Sequence, residues 1–539
     1  MIKMKTSIYY KALALCLFLL FAQGAAAIVF EVTTAEELQA ALATASINEA
    51  ENEILLGEGI YNGNFKYVAE HSSQLMIRGQ GAKLTILDGE SRAFVLFLSL
   101  GSYTPSITIS GLALKGGKAK TGAALRISSS TVETFFNWAP ELHPRVSLEK
   151  IEIFENFGGA GGSIDGSVLD AVGTILTIDE TQVRDNLGES LLNCGSSCTV
   201  NIKNSSLYGT AGSNGIENII RSGSITVEGS FLTNIYLYSS RFSGGDQTIG
   251  CVLDDSVFEG IGTIGCDEAR SFSIESSSIA VSTNLGGTGA VKNTTFSDGR
   301  ISIRGERIQF VGNLVKEPAQ NVRHVHEFSD YKDLQLISNT IVGIQGITLS
   351  PSKTGSSQIV ANNIITSSRT DGLSPLFQKE FPESSKLIHN ILTEGDYGYW
   401  DQDVENIQAE PTFFDVEGRD YHLTSDSIGI NGGNNEYVLD DQNFDLDGNS
   451  RILGGSVDIG AYERSTTALH PADSNGDQSI SQAEFDAYNT AWRTNDTWPT
   501  APSIIPIDFV TRAGYLLQKG GAYKNIGVGK PATWVPLAD

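Results

Sequence analysis

Short segments in which apolar and polar residues alternate recur along most of the chain, and each ends in a small or polar corner. An alternation of period two is typical of a β-strand with one buried face. Most segments start 21 to 29 residues apart, and a repeat of that length predicts one coil of a solenoid per repeat. The segments are residues 147–156, 176–186, 200–209, 225–234, 251–260, 272–282, 301–313, 334–343 and 358–368.

A leucine-rich horseshoe and a parallel β-helix both use repeats of this length. The horseshoe requires an L-x-x-L-x-L-x-x-N consensus and helical returns, and the sequence has neither. Polar corners such as residues 204–206 and 276–278 instead suit tight turns between short parallel strands. The sequence therefore predicts an all-β fold, a parallel β-helix whose inward Val, Ile, Leu and Phe side chains stack in ladders. Its outward polar faces remain free to bind a ligand.

The start of the predicted solenoid carries a capping signal. Residues 34–37 (TAEE) form a capping box, and an apolar stripe follows at helical spacing (Leu38, Ala41, Leu42 and Ala45). Together with residues 53–61 and 77–89, this cap helix resembles the opening of pectate-lyase-like right-handed β-helix proteins. The resemblance implies a right-handed parallel β-helix solenoid with an N-terminal cap helix.

The far end of the solenoid carries a run of short motifs within residues 409–463: AEPTFF, DYHL, INGG, DLDGNSR and GSVDIGAYE. This run is similar to the closing module of bacterial surface β-helices known as choice-of-anchor Q proteins, and residues 458–463 are its most diagnostic part. The sequence departs from that family at residues 427–432, where the family usually has a Pro-Ala-Ile-Asp run. The resemblance implies surface display and no particular chemistry, because the family is defined by its architecture.

The first 27 residues have the organisation of a signal peptide. Lys3, Lys5 and Lys11 form a basic region, residues 12–22 form an apolar region, and residues 25–27 supply a small-residue cleavage site. Eleven apolar residues are too short to span a bilayer, and no later stretch reaches about 18 apolar residues. We therefore expect an exported protein, secreted or displayed on the cell surface, with no membrane span after cleavage.

Charge and cysteine content agree with export. The chain has 37 Lys and Arg residues against 63 Asp and Glu residues, a formal charge of −26, which argues against nucleic-acid and anionic-membrane partners. Four Cys remain after cleavage, and an even number in an oxidising compartment suggests disulfides. Three connectivities are possible. We favour Cys194–Cys198 with Cys251–Cys266, and a metal site is the alternative for the first pair.

Residues 473–484 (DSNGDQSISQAE) match a calcium-binding EF-hand loop. In this interpretation side chains, one backbone carbonyl and a bidentate carboxylate bind Ca²⁺. The predicted ligands are Asp473, Asn475, Asp477, Ser479, Ser481 and Glu484. Gln478 replaces the Gly that normally makes the sharp turn, which predicts weakened binding. The alternative is a turn rich in Asn and Asp that binds no metal.

A second helical stretch, residues 508–519, follows the loop, so that residues 465–539 resemble an EF-hand or half of a dockerin module. A true dockerin carries two calcium loops and no second D-x-N-x-D occurs here, which argues against cohesin binding. The predicted domains are therefore a signal peptide (1–27), a β-helix (28–464, with the closing module at 409–463) and this tail (465–539).

Three further clusters have a structural and a functional interpretation. Asp445, Asp447 and Asn449 have metal-like spacing, yet they also belong to the turn of the closing module. His324 and His326, beside Arg323, could serve a polysaccharide lyase, or they could simply pack on one strand face. Asp254 and Asp255 do not form a paired carboxylate site, because adjacent strand residues face opposite sides.

The signatures of the polygalacturonases and the pectate lyases are missing, as are G-x-S-x-G, P-loop and H-E-x-x-H motifs. The sequence therefore favours a calcium-binding surface protein that binds an extracellular polysaccharide, matrix or cell-envelope component. The alternative is a polysaccharide lyase, or another carbohydrate-active enzyme of the pectate-lyase-like superfamily. No catalytic residue is assigned.

Overall fold

A computed structural model describes most of the chain after residue 26. The described residues are 27–130, 143–159, 166–194, 198–209, 219–222, 224–239, 250–259, 263–266, 271–316, 324–352, 355–368, 376–378, 380, 382–393, 395, 397–424, 426–453, 455–464, 469–474, 479–500, 502–525 and 531–536. Residues 1–26 of the predicted signal peptide lie outside them. The chain divides into two units, Met1–Gly250 with Glu259–Gly262, and Cys251–Phe258 with Thr263–Asp539.

The protein is a right-handed parallel β-helix, as predicted. Most of the described coils contain three short strands, which we call first-, second- and third-position strands; the last two described coils have only the first two. Strands at the same position in successive coils pair in parallel and in register, as in Leu148↔Ile178↔Ile202↔Val227. These four side chains are buried and form one inward ladder. Each fully buried side chain of this size contributes about 1.5–3 kcal/mol.

In the first unit the strands fall into the three positions as follows. The first-position strands are Ile28–Val32, Asn52–Leu56, Leu75–Arg78, Ser106–Ser110, Arg145–Glu149, Ile175–Asp179, Thr199–Lys203 and Ser224–Glu228. The second-position strands are Gly59–Asn62, Thr85–Asp88, Ala113–Lys115, Glu152–Phe154, Gln182–Arg184, Ser206–Tyr208 and Phe231–Thr233. The third-position strands are Phe65–Val68, Leu96–Gly101, Leu125–Ser129, Ser167–Val172, Ser190–Asn193, Ile219–Ser222 and Tyr236–Ser239. Lys118–Ala119 and Phe157–Gly158 form a separate parallel pair.

The second unit repeats the pattern. Its first-position strands are Gly250–Asp254, Ser271–Glu275, Thr288–Lys292, Arg307–Val311, Asp333–Ile337, Ser357–Ala361, Ser384–Ile388 and Gln402–Val404. Its second-position strands are Val257–Glu259, Ser278–Ile279, Thr295–Phe296, Leu314–Val315, Thr340–Ile344, Ile364–Ser367, Ile391–Leu392 and Ile407–Gln408. Its third-position strands are Thr263–Cys266, Ser282–Gly286, Ile301–Arg304, Val325–Tyr331, Gly346–Pro351 and Leu376–Gln378.

Helix α1, Ala35–Ile47, caps the open end of the first unit as the sequence predicts. The Thr34 hydroxyl accepts the Glu37 backbone N–H at 3.2 Å, and the Glu37 carboxylate accepts the Thr34 N–H at 3.1 Å. This reciprocal box satisfies backbone donors that a helix start leaves without partners. The buried face of the helix is the predicted stripe, Leu38, Ala41, Leu42 and Ala45, together with Ser46.

A buried hydrogen-bonded ladder explains the polar corners between first- and second-position strands. In four coils the corner residue is Asn313, Asn339, Asn363 or Asn390, and each side-chain amide donates to the Oδ1 of the next Asn at 2.8–3.1 Å. Each amide also donates to a backbone carbonyl. The coils just before these place a hydroxyl there instead, as in Ser277, and two coils nearer the start place a buried apolar residue there, Leu112 or Ile151. The corners are therefore polar because buried backbone and side-chain groups require partners.

Two disulfides join the cysteines in the favoured pairing. Cys194 bonds Cys198 with a Cα–Cα distance of 5.8 Å, and Cys251 bonds Cys266 with a Cα–Cα distance of 6.2 Å. Both distances lie within the range that a disulfide spans without backbone movement. The local connectivity predicted from spacing is confirmed.

After the last coil the second unit continues with a closing segment and a helical tail. The hairpin Phe413–Asp415 and Asp420–Leu423 packs with residues 459–462 on the coils through two small apolar clusters. The tail holds helices α2, Gln482–Thr494, and α3, Ile507–Gln518, and a hairpin of Tyr523–Asn525 with Trp534–Pro536. Short 3₁₀ helices lie at Asn435–Tyr437 and Pro531–Thr533. No helix among the described residues is long and apolar enough to cross a membrane.

Candidate functional site

A cleft of about 580 Å³ opens in the second unit where three coil corners face a loop of the closing segment. The corners supply carboxylate, hydroxyl and amide groups, and the loop supplies an aromatic ring and further carboxylates. The lining residues are Asp255, Ser256, Val257, Glu275, Ser276, Ser277, Ser278, Asn293, Thr295, Phe444, Asp445, Leu446, Asp447, Gly448 and Tyr462. None of them is Lys, Arg or His.

Three corner residues with positive φ angles lie on the coil side of the cleft. Asp255, Ser276 and Asn293 have φ angles of 42°, 50° and 46°, which turn the chain between first- and second-position strands. Asn and Asp tolerate this conformation better than most residues. The residue that follows each corner residue enters the buried ladder, and the corner residue itself lines the cleft.

Asp445 shapes the loop on the opposite side of the cleft. One of its oxygens accepts the backbone N–H groups of Asp447 and Asn449, at 3.0 and 2.7 Å. The other oxygen accepts the Glu463 N–H at 2.8 Å and the Asn449 amide at 3.1 Å. Burial raises the pKa of Asp445 to about 6. With both Asp445 oxygens occupied, the acidic loop has the structure of a turn, which is the structural interpretation of its sequence.

The same turn presents Phe444 and Asp447 to the cleft. The Phe444 side chain is 58% exposed, although it belongs to one of the most apolar residue types. The Asp447 carboxylate accepts from Nε2 of the buried His422 at 2.6 Å. The other ring nitrogen of His422 contacts Asp420. The exposed Phe444 ring and the Asp447 carboxylate therefore both line the cleft, and the hydrogen bond to the buried His422 fixes the orientation of this carboxylate.

His422 is a buried cation held between two carboxylates. Burial of the ring opposes protonation, but Asp420 and Asp447 outweigh it and raise the pKa of His422 to about 9. The Tyr462 ring stacks on the imidazole with 3.9 Å between ring centroids, and Tyr462 also lines the cleft. Burial, followed by the nearby carboxylates, raises the pKa of Tyr462. The Tyr462 hydroxyl is thus an unionised group at neutral pH.

A second buried charge network explains the most diagnostic closing motif. The Arg451 guanidinium is 1% exposed and donates to the carbonyls of Asp458 and Gly460 at 3.1 and 2.6 Å. It also contacts the Glu463 carboxylate at 3.3 Å. Asp458 accepts the backbone N–H groups of Asn431 and Arg464, each at 2.6 Å. These charged residues hold the closing loops together and do not line the cleft.

The predicted calcium loop is described at its two ends. Asp473 is buried, and its carboxylate accepts from the Tyr523 hydroxyl at 2.7 Å. Glu484 accepts the backbone N–H groups of Ser474 and Ser481 at 3.0 and 2.9 Å, and Ser481 caps helix α2. Ser479 lies in a bridge to Ala522. Among the described residues no group of three or more His, Cys, Asp or Glu side chains could hold a metal ion. Asn475, Asp477 and Gln478 lie outside the described residues.

His324 and His326 are not among the residues that line the cleft. His326 is buried in a third-position strand, and its Nδ1 accepts the Ile301 backbone N–H at 3.1 Å. Burial lowers the pKa of His326 to about 3. This is the structural interpretation of the pair, in which one imidazole packs as a neutral hydrogen-bond acceptor. His324 is partly exposed, and Arg323 lies outside the described residues.

Sequence reasoning missed most of the cleft. It identified Asp445 and Asp447 within the closing motif, and it set aside Asp255 as one member of an adjacent pair. It assigned no functional role to Phe444, His422 or Glu275. The sequence separation between the coil corners and the closing loop is more than 140 residues, so no local pattern places them together.

No protein-family model matches this chain, and no curated protein matches it in sequence. Solved structures do match. The PL6 family polysaccharide lyase Pedsa3628 from Pseudopedobacter saltans is 14% identical, with a TM-score of 0.36, over 71% of this chain and 92% of the lyase. The PL6 family alginate lyase AlyGC is 15% identical, with a TM-score of 0.33, over 75% of this chain and 55% of that enzyme. Scores and identities this low carry no conclusion about activity.

Proposed function

We propose that this protein is an exported, calcium-binding surface β-helix that binds an extracellular polysaccharide in the cleft. The observation that carries the proposal is the exposed Phe444 ring, which borders a row of carboxylate, hydroxyl and amide groups. A sugar ring has apolar C–H faces that pack on an aromatic side chain and hydroxyls that need hydrogen-bond partners. Binding sites combine these features as an apolar platform with a few polar groups.

The lining of the cleft favours binding over polysaccharide lysis. A lyase needs a base near the sugar C5 proton and a cation or metal ion to neutralise the uronate. The lining residues include no Lys, Arg or His, and the charge of His422 is already shared by Asp420 and Asp447. Four carboxylate side chains would also repel a polyuronate. The lyase remains the second candidate, supported by the position of His422 directly behind the cleft.

A binding panel with an activity control tests this proposal. Purified mature protein is titrated with neutral, acidic and amino-sugar oligosaccharides, and the same mixtures are followed for the ultraviolet absorbance of unsaturated uronates. We expect binding without absorbance change, and loss of binding in Phe444→Ala. Val416→Ala is the matched control, because Val416 is an exposed apolar side chain outside the cleft. Absorbance that grows with time would favour the lyase instead. Absence of binding across the panel would overturn the proposal.

Export and surface display belong to the same proposal. Residues 1–27 would be removed as a signal peptide, and the two disulfides are compatible with an oxidising compartment. The similarity of residues 409–463 to the choice-of-anchor Q closing module implies display on the cell surface. Mass spectrometry of the mature N-terminus tests it, with Ile28 the expected first residue.

We also propose that residues 465–539 form an EF-hand-like or dockerin-like tail that binds Ca²⁺ through Asp473, Asn475, Asp477, Ser479, Ser481 and Glu484. Support comes from the two ends of the loop, because the Glu484 carboxylate hydrogen-bonds the residue next to Asp473. The loop also pairs with the residues just before the tail hairpin, through the Ser479–Ala522 bridge and a hydrogen bond from the Ile480 N–H to the Gly521 carbonyl at 3.0 Å. Ile480, which belongs to the loop, is buried in an apolar cluster of the tail with Tyr488 and Leu516, so calcium would bind next to that cluster.

A further inference from the structure

A row of outward side chains crosses the third-position strands of the first unit. Lys66, Phe97 and Arg126 are register partners in three successive coils. Lys66 and Arg126 are exposed, and Phe97 lies half-buried between them in the register. Because neighbouring strands lie about 4.8 Å apart, the Lys66 and Arg126 backbones are about 10 Å apart. We call Lys66, Phe97 and Arg126 the Phe97 row.

The Phe97 ring attracts both cations. Lys66 Nζ lies 5.6 Å from the ring centroid and Arg126 Cζ lies 5.2 Å from it, both within the range of a cation–π interaction. The ring packs edge-on against Phe94, with 5.6 Å between the ring centroids. Gln39 of helix α1 fixes the strand that carries Lys66, because its amide donates to the Lys66 carbonyl and accepts from the Lys66 N–H, each at 3.0 Å. The two cations are therefore oriented before a ligand binds.

The Phe97 row also carries positive charge that the described structure does not pair. Several other cations on the strands of the first unit form ion pairs across neighbouring coils, as Lys203 does with Glu228 at 2.7 Å. Lys66 and Arg126 form no ion pair with any described residue, although the chain has 63 Asp and Glu residues against 37 Lys and Arg residues.

The neighbour of Arg126 in the next coil does not pair with it either. Asp170 is the register partner of Arg126, but its carboxylate is buried and accepts from the Asn193 amide at 2.9 Å. The Phe97 row therefore presents two oriented cations, without carboxylate partners in the described structure, to an anion from solution.

We propose that the Phe97 row binds an anionic glycan, at a site in the first unit that is separate from the cleft and does not depend on the function proposed for the cleft. Carboxylate or sulfate groups of a sugar chain complement the two cations, and Lys and Arg make their strongest hydrogen bonds with charged acceptors of this kind. The cation–π contacts orient both side chains in advance, which reduces the entropy that is lost on binding.

A nucleic acid, the other common polyanion, fits this surface less well. Proteins bind single strands by stacking the bases on aromatic faces. Lys66 and Arg126 approach the Phe97 ring from the coils on either side, so they cover the ring on which a base would stack. The charge of the row therefore favours a sugar chain whose anionic groups contact the cations directly.

The test uses cello-oligosaccharides of one length in three forms: unmodified, oxidised to a carboxylate at C6, and sulfated at C6. Each form is titrated calorimetrically into the mature protein at about pH 7, in low salt and again in high salt. We expect at least one charged form to bind about tenfold tighter or more than the unmodified form, and the comparison of the two identifies the preferred anion. This binding should weaken in high salt, which screens exposed charges.

Two double variants separate the row from the overall charge of the protein. Lys66→Gln with Arg126→Gln removes both cations of the row and should lower the affinity for the charged form about tenfold or more. Lys83→Gln with Arg145→Gln removes the same charges from exposed residues of the first unit outside the row, and should bind as the unaltered protein does. Phe97→Leu keeps both cations and removes the ring that orients them, so it should also weaken binding. Circular dichroism checks that each variant is folded.

The outcomes separate this site from the cleft. A charged form that Phe444→Ala still binds, and that Lys66→Gln with Arg126→Gln loses, supports the inference. Equal binding of all three forms, or the same loss in both double variants, overturns it and leaves the cleft untested by this result alone, since Phe444→Ala reports on the cleft separately. Binding of the charged form that Phe444→Ala abolishes and the row variant keeps overturns the inference in favour of the cleft. A single-stranded oligonucleotide that binds the row as tightly as the charged glycan also overturns it.

Discussion

The charge of His422 makes a specific contribution to stability that depends on pH. The pKa of this buried ring rises from the ordinary value of 6.5 to about 9 because Asp420 and Asp447 bind it from two sides. A raised folded-state pKa means that the stabilisation is fully present below pH 6.5 and is lost as the pH rises through 9. A shift of this size corresponds to about 3 kcal/mol, at 1.36 kcal/mol for each unit.

The assay is equilibrium urea unfolding of the mature protein and of His422→Gln, followed by circular dichroism across the pH range. We expect the difference in unfolding free energy between the two proteins to fall by about 3 kcal/mol between about pH 6 and pH 10. Using the difference matters because burial also raises the pKa of Asp445 and Glu463, and their titration changes both proteins alike. Nuclear magnetic resonance of the His422 ring measures its pKa directly.

A difference in unfolding free energy that stays constant over this range would refute the reasoning. It would mean that the ring has the same pKa in the folded and unfolded chain, so that the two carboxylates do not stabilise its charge. A resonance that titrates near the ordinary value of 6.5 would lead to the same conclusion. His422 does not line the cleft, so glycan binding is not needed as a readout.

Three further predictions concern the coils and the tail. Ile225→Asp should cost several kcal/mol because it buries an unpaired charge in the inward ladder, whereas Ile225→Val should cost about 0.5–1.5 kcal/mol, both measured by urea unfolding. Asn339→Ala should cost about 1–3 kcal/mol for each buried group left without a partner, in the same assay. In calorimetry of the mature protein, Ca²⁺ should bind with a dissociation constant of about 10⁻⁴–10⁻³ M. Glu484→Gln should weaken calcium binding more than Ser481→Ala, because Glu484 is the predicted bidentate ligand. Equal effects of the two variants would contradict that role of Glu484.

The fold could be predicted from the sequence because its determinants are local and repeated. The alternation of apolar and polar residues fixes which side chains enter the core, and the repeat length fixes one coil. The cap helix followed from its capping box, which forms as predicted. The hydrogen-bonded ladder of Asn313, Asn339, Asn363 and Asn390 was visible only as recurring polar corners. The hydrogen bonds between these Asn side chains form only when the coils stack, because the bonded residues are 24–27 positions apart in the sequence.

The site could be predicted only in fragments. Asp255 was set aside because neighbouring strand residues face opposite sides, and that rule is sound within a strand. It does not apply here because the strand ends at Asp254 and Asp255 adopts a φ of 42° at the corner. The pairing of His422 with Asp447 depends on how the closing segment folds back on itself. A single sequence carries no signal for a contact of that kind.

Corner residues show why turn chemistry and binding chemistry are hard to separate in this fold. Each coil needs a residue that tolerates positive φ, and Asn and Asp are favoured there because their short polar side chains can hydrogen-bond locally. The same residue types supply amide and carboxylate groups to a ligand. At Asp255 and Asn293 one side chain makes the turn and also lines the cleft, and composition alone cannot assign it to either role. These corners differ from the others because the loop that contains Phe444 lies opposite them, so that the corners and the loop together form a cleft.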